Sequence, residues 1–339
     1  MDLSNKRIII CKQTRIGDVM CCLPLVTVLK NRCPNCQILF LGQEYTRPLI
    51  ETYNGIDEFI DYGKVIQETV EESAINLASY KADIIVHTLP DKMLLQVAKK
   101  ALIPLRIATA SKFISWQTCN RLVLIRRRLG NLHESQYDMM FASALGFEKH
   151  YSLTEIIKLR NYKPLLHNAP CLALLDKNKF NLIIHMKGMT PVMLWPINSY
   201  VELIQFLPKE RFKIFLTGTE EEREMIEKHT SHFDKADVVN LCGKTTLTDL
   251  MQLIGNANGL IAGSTGPLHL AANFGIYALG IYPPIKPRHP ARWGPIGTKS
   301  ETLCAQRKCQ RCRHCTQCEC IAEITPQQVY QVISKWEKR

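Results

Sequence analysis

Short apolar runs recur along this chain, each followed by a longer amphipathic stretch, and only a strand–helix alternation satisfies both periods. In the first half, strands are expected at residues 7–11, 37–41 and 82–87, with a helix over 19–32. Strands separated by helices imply right-handed crossovers and a parallel sheet, so the loops leaving the strands open on one edge, where α/β folds bind ligands. Residues 162–170 interrupt the pattern with Pro164 and Pro170 around a polar stretch and read as a linker. The alternation then restarts, with strands expected at 181–185, 213–217, 238–241, 259–262 and 277–282. Helices are expected at 197–207, 220–229, 247–257 and 268–274. A chain of 339 residues supports two hydrophobic cores, so the expectation is an α/β protein of two domains, 1–165 and 166–325, facing across a cleft. Residues 326–339 read as one amphipathic helix with a proline at its start, placed to pack back onto the first domain.

Hydrophobic residues at 46% and charged residues at 22% exclude a largely disordered chain. The formal charge of +12 favours an anionic partner: nucleic acid, a phosphorylated substrate or an acidic membrane face. The apolar run at 8–11 is too short for a signal sequence and lacks a small-residue cleavage site. No other run approaches the roughly 20 residues that span a bilayer, and a cytoplasmic location is expected. Of 14 cysteines, Cys11, Cys21, Cys22 and Cys171 sit in apolar runs, where a reduced thiol behaves as a small hydrophobe. A second group lies within 304–320, where Cys309, Cys312, Cys315 and Cys318 recur at every third position. Four thiolates so spaced fit a structural zinc site or an iron–sulfur cluster; they equally fit reduced thiols on a basic loop.

Two loops carry polar residues that an α/β fold brings to a ligand edge. Thr14-Arg15-Ile16-Gly17-Asp18-Val19 follows the first strand, where Gly17 allows close backbone approach and Asp18 either faces the ligand edge or caps the helix. Gly263-Ser264-Thr265-Gly266-Pro267-Leu268-His269 follows a strand and opens a helix. Free amides there suit a diphosphate, with Ser264 and Thr265 adding hydroxyls and Pro267 losing no bond in the first turn. The alternative is an ordinary strand-to-helix turn with a core histidine at 269. Arg126, Arg127 and Arg128 form a basic run, either a solvated face or a surface for a phosphorylated ligand.

Four motifs occur in order: Arg15-Ile16-Gly17-Asp18-Val19, Trp195-Pro196, Thr217-Gly218-Thr219-Glu220 and Ser264-Thr265-Gly266-Pro267-Leu268-His269-Leu270-Ala271. Together they resemble glycosyltransferase family 9, the ADP-heptose:lipopolysaccharide heptosyltransferases, over nearly the whole chain. The resemblance implies a GT-B fold of two Rossmann-like domains, the first binding acceptor and the second nucleotide sugar. It implies inverting, metal-independent transfer with Asp18 as general base, Arg15 and Gly17 on the acceptor side, and no cofactor beyond a structural zinc. Donor contacts fall to Thr217, Gly218, Glu220 (ribose), Ser264, Thr265, Gly266, Pro267, Leu268 and His269. Two positions depart from the family: Met193 stands where many relatives have a phosphate-binding lysine, and Ser264 where aspartate is common. Lys187 is the candidate replacement cation. The partners implied are ADP-heptose, a lipopolysaccharide core or lipid A acceptor, and the inner face of the inner membrane, with Arg126, Arg127 and Arg128 meeting the acceptor. Alternatives are another nucleotide sugar within the family, a sugar-nucleotide epimerase of the same fold, or a zinc-bearing nucleic-acid-binding protein. The last is disfavoured because the cysteine segment lacks paired zinc-knuckle spacing.

Overall fold

The computed structural model describes all residues except 187–193, 229–235, 287, 307–318, 339 and the side chain of Met225. Two compact units divide the chain, Met1–Pro164 and Leu165–Arg339.

The first unit is built on a parallel sheet of β1 (Arg7–Cys11), β2 (Gln37–Gly42), β3 (Glu58–Asp61), β4 (Ile84–His87), β5 (Leu105–Thr109) and β6 (Arg121–Val123), in the order β3-β2-β1-β4-β5-β6. Ile8, Ile9, Ile10 and Cys11 are all fully buried, the signature of a strand covered on both faces. One face packs Ile9, Leu39, Leu41 and Ile85 against Leu94 and Val97 of the helix Lys92–Lys100. The strand order reverses between β1 and β4, leaving a crevice outside their carboxyl ends. The single helix expected over 19–32 is two, Ile16–Cys22 and Pro24–Arg32. Pro24 has no N–H to continue the first helix, and its ring conflicts with the carbonyl four residues back, so it opens the second helix instead.

The second unit repeats the plan with β7 (Phe180–His185), β8 (Phe212–Thr217), β9 (Val238–Asn240), β10 (Gly259–Ala262), β11 (Tyr277–Tyr282) and β12 (Ser300–Cys304), ordered β12-β11-β10-β7-β8-β9 and parallel throughout. Its switch point lies between β7 and β10. Both sheets therefore have the Rossmann strand order. The terminal helix is shorter than expected, Pro326–Ile333, and its buried face belongs to this unit rather than the first. Val329, Ile333 and Trp336 enter the second core, Trp336 stacks on Tyr277 at 5.1 Å, and the Arg211 guanidinium donates to Trp336 O at 2.7 Å. Trp195 of the Trp-Pro pair is an anchor in the same core: its indole N–H donates to Ile324 O at 2.8 Å and its ring meets Tyr200 edge-on.

Candidate active site

At the first unit's switch point the chain leaves β1 at Cys11, whose carbonyl accepts from the Thr88 hydroxyl at 2.6 Å, and reaches the helix Ile16–Cys22 through Lys12–Arg15. Arg15 holds the N-cap position with no side-chain cap, so Asp18 is the third residue of the helix and not its cap. Among the described residues the Asp18 carboxylate has no hydrogen-bond or ion-pair partner. Burial pushes it above the ordinary carboxylate range; Lys12 pulls it down, Glu134 and Asp138 add to the rise, and Arg15 opposes them. A partly buried, unpartnered carboxylate with a raised proton affinity at a ligand edge is the environment of a general base.

Beneath it lies a buried charge quartet that the sequence reading missed. Lys12 is fully buried and donates to Asp138 at 2.8 Å, with Glu134 at 3.9 Å. Arg127 meets Glu134 at 2.7 Å and Asp138 at 2.6 Å. Glu134 and Asp138 are four apart on the helix Glu134–Met139 and so share a face. The four charges cancel, and the two facing carboxylates hold the Lys12 ammonium above its ordinary value despite burial. A lysine directly after a run of buried apolar residues, and the Glu-x-x-x-Asp spacing, were the available signals. The three arginines of the basic run are placed differently: Arg126 and Arg128 are exposed, but Arg127 is only 13% exposed and belongs to the quartet, with its guanidinium also near the Tyr137 and Phe141 rings. On the loop that leads to this helix, the side-chain oxygens of Gln13 and Thr14 are buried without hydrogen-bond partners among the described residues.

In the second unit β10, β7 and β8 run side by side, with Ala262 opposite His185 and His185 opposite Thr217. Their carboxyl ends bring the loops carrying Ser264 and Gly218 to one edge. Thr217 is buried, with its hydroxyl 3.0 Å from His185 Nδ1, so it serves this edge from within. The helix Gly266–Asn273 begins two residues earlier than expected, placing Gly266 and Pro267 in its first turn. Thr265 precedes it in extended conformation without capping it, and the Thr265 hydroxyl is buried with no hydrogen-bond partner among the described residues. An uncapped helix start beside an orphaned hydroxyl fits an anion's oxygens. Ser264, Pro267, Leu268 and His269 are buried around it. Glu220 opens the helix Glu220–Glu227, is exposed, and pairs with Arg223. Gly243 lies against the Glu220 carboxylate in a left-handed conformation, φ +70°, where a side chain would collide with it.

Lys187, Met193, Cys309, Cys312, Cys315 and Cys318 lie outside the described residues. Of the remaining two clustered cysteines, Cys320 is buried in the second core and Cys304 ends β12. No group of three metal-binding side chains occurs among the described residues, and none of their helices is long and apolar enough to cross a membrane.

The chain is 25% identical to lipooligosaccharide heptosyltransferase 2 of Haemophilus influenzae over 299 residues, covering 81% of this chain and 82% of that one. Its fold matches the crystal structure of a family 9 glycosyl transferase from Veillonella parvula, with a TM-score of 0.84 at 19% identity, covering 99% and 98% of the two chains. It also matches Escherichia coli ADP-heptose lps heptosyltransferase II, with a TM-score of 0.74 at 18% identity and 97% of each chain covered. The family model for glycosyltransferase family 9 (heptosyltransferase) matches residues 93–321, more than half of the sequence. With two Rossmann-ordered sheets and that match, this chain belongs to glycosyltransferase family 9, the heptosyltransferases of lipopolysaccharide biosynthesis.

Proposed function

We propose that the enzyme transfers heptose from ADP-heptose to an inner-core lipopolysaccharide acceptor, with inversion and without a catalytic metal, at the cytoplasmic face of the inner membrane. The observation that carries this reading is the Asp18 carboxylate, unpartnered and raised in proton affinity at a ligand edge. Asp18 takes the proton of the acceptor hydroxyl as its oxygen attacks the anomeric carbon, and the bond from that carbon to the nucleoside diphosphate breaks. One displacement with one base inverts the configuration. The leaving diphosphate needs positive potential, which the amides at the start of the helix Gly266–Asn273 and the Thr265 hydroxyl would supply. Lys187 is the proposed additional cation, and Glu220 the proposed ribose contact, beside Gly243.

A structural zinc at Cys309, Cys312, Cys315 and Cys318 is supported by their spacing alone, and elemental analysis of protein purified without chelator tests it. For the transfer itself, the purified enzyme is incubated with ADP-heptose and other nucleotide sugars, with and without heptose-deficient core acceptors. Nucleoside diphosphate release that depends on both ADP-heptose and acceptor is expected. Release with a different nucleotide sugar would reassign the donor, and interconversion of the donor sugar without acceptor would make the enzyme an epimerase.

A further inference from the structure

Residues 92–133 contain nine lysines and arginines and no aspartate or glutamate, in a chain whose net charge is +12. Within this acid-free stretch, the helix Phe113–Thr118 connects β5 to β6. Phe113 and Trp116, three residues apart and so on one helix face, are 78% and 63% exposed. Trp116 is not loose: its indole N–H donates to Ala110 O at 2.9 Å, fixing the ring while leaving it in solvent. Ala110 N donates to Val123 O at 2.9 Å, so the strand leaving β6 runs beside the start of this helix. From there the chain alternates. Val123, Ile125 and Arg127 turn inward, Arg127 into the charge quartet, while Leu124, Arg126 and Arg128 turn outward. Lys112 stands exposed just before the helix.

The geometry points to a membrane-docking face formed by Phe113, Trp116 and Leu124 with Lys112, Arg126 and Arg128, fitted to the headgroup region of an anionic bilayer. Aromatic rings beside lysine and arginine are the chemistry of the membrane interface: the rings enter the acyl boundary while the cations stay among lipid phosphates. No carboxylate in this stretch opposes anionic lipid. A nucleic acid would also meet the cations, but Leu124 has no ring for a base to stack on, and the indole N–H is already committed to Ala110. Because Arg127 belongs to the same quartet as Lys12, the face is tied through one buried network to the loop that leads into the helix bearing Asp18. The inference deepens the membrane reading above by naming the residues that meet lipid. Its test uses neither donor nor acceptor, so it can fail while the transfer reaction stands.

The experiment is sedimentation of the full-length protein with phosphatidylcholine vesicles containing zero or 30% phosphatidylglycerol as a probe composition, with brominated acyl chains as fluorescence quenchers. Of the four tryptophans, Trp195 and Trp336 are buried and Trp293 is partly buried, so Trp116, 63% exposed, is the most accessible indole. Binding to the anionic vesicles is expected, with quenching that Trp116→Phe removes. Phe113→Ser with Trp116→Ser should lower the partition coefficient at least tenfold, a magnitude of order set by aromatic burial. Arg126→Ala and Arg128→Ala should each lower it roughly fivefold at low salt. Both aromatic positions are exposed, and circular dichroism checks that the variants fold. Equal sedimentation with neutral vesicles, absence of quenching, indifference to the aromatic substitutions, or binding to a single-stranded oligonucleotide in place of vesicles would each overturn the assignment.

Discussion

Replacing Lys12 with methionine removes one member of the buried quartet and nearly preserves side-chain length. In the wild type, the ammonium sits 2.8 Å from Asp138, which is fully buried, and 3.9 Å from Glu134, which is 2% exposed. Without it, Arg127 is the cation that remains to the two buried carboxylates among the described residues. Breaking a buried pair from one side costs about 3–5 kcal/mol, because the remaining charge keeps its desolvation penalty without its partner. For a unit of this size each kcal/mol lowers the melting temperature by roughly 2–4 °C, so a loss of roughly 6–20 °C is expected. The sign of the pH dependence follows from the raised lysine value: the ammonium's contribution is complete below the unfolded lysine value of about 10.4 and fades only as pH rises through the folded one. The gap between the proteins in urea or thermal unfolding should therefore stay constant across neutral pH and narrow in strong alkali. A second readout is catalytic. Since Lys12 pulls the Asp18 carboxyl down, its removal should move the acidic limb of the kcat/KM profile to higher pH. The double variant Lys12→Met, Asp138→Leu, which leaves Arg127 paired with Glu134, should recover much of the stability. Unfolding of Lys12→Met within about 0.5 kcal/mol of wild type would refute the claim that the quartet is a stabilising unit.

Asp18→Asn should be as stable as wild type or more so near neutral pH. A carboxyl whose folded value is raised contributes stability below its unfolded value and loses it as pH rises through the folded one, so the ionised group is a burden that asparagine removes; thermal melts across pH check this. Thr265→Val should leave the fold intact, because the hydroxyl has no hydrogen-bond partner among the described residues, yet weaken nucleoside diphosphate binding by roughly three- to tenfold in calorimetry. Gly243→Ala should destabilise by about 1–2 kcal/mol in urea unfolding, through its positive φ and the collision with Glu220, and should displace that carboxylate.

Sequence periodicity located β1, β7, β10 and β11 because each holds a short run of buried apolar residues, such as 8–11 and 182–184. What it could not supply was long-range pairing. β5 and β6 carry arginines at Arg106 and Arg121 that blur the apolar signal, and Arg121 extends to Ala144 O, a contact no local window contains. The arginine run shows the same limit. Three consecutive identical residues look equivalent on paper, but Arg127 opens a short 3-10 turn, Arg127–Leu129, and its side chain points inward to Glu134 and Asp138. Asp18 was legible as a polar residue on a ligand edge; its raised proton affinity comes first from burial, with Lys12 opposing it and Glu134 and Asp138 adding to it from distant segments.

Turnover by Asp18→Asn measures the central claim most directly. With ADP-heptose and a heptose-deficient core acceptor, wild-type protein should release nucleoside diphosphate in an acceptor-dependent reaction. The variant should bind donor as tightly as wild type while kcat falls by about 10²- to 10⁴-fold, the loss expected on removing a general base. A variant that turns over at the wild-type rate would show that the acceptor hydroxyl gives its proton elsewhere, and the assignment built on this carboxylate would be wrong.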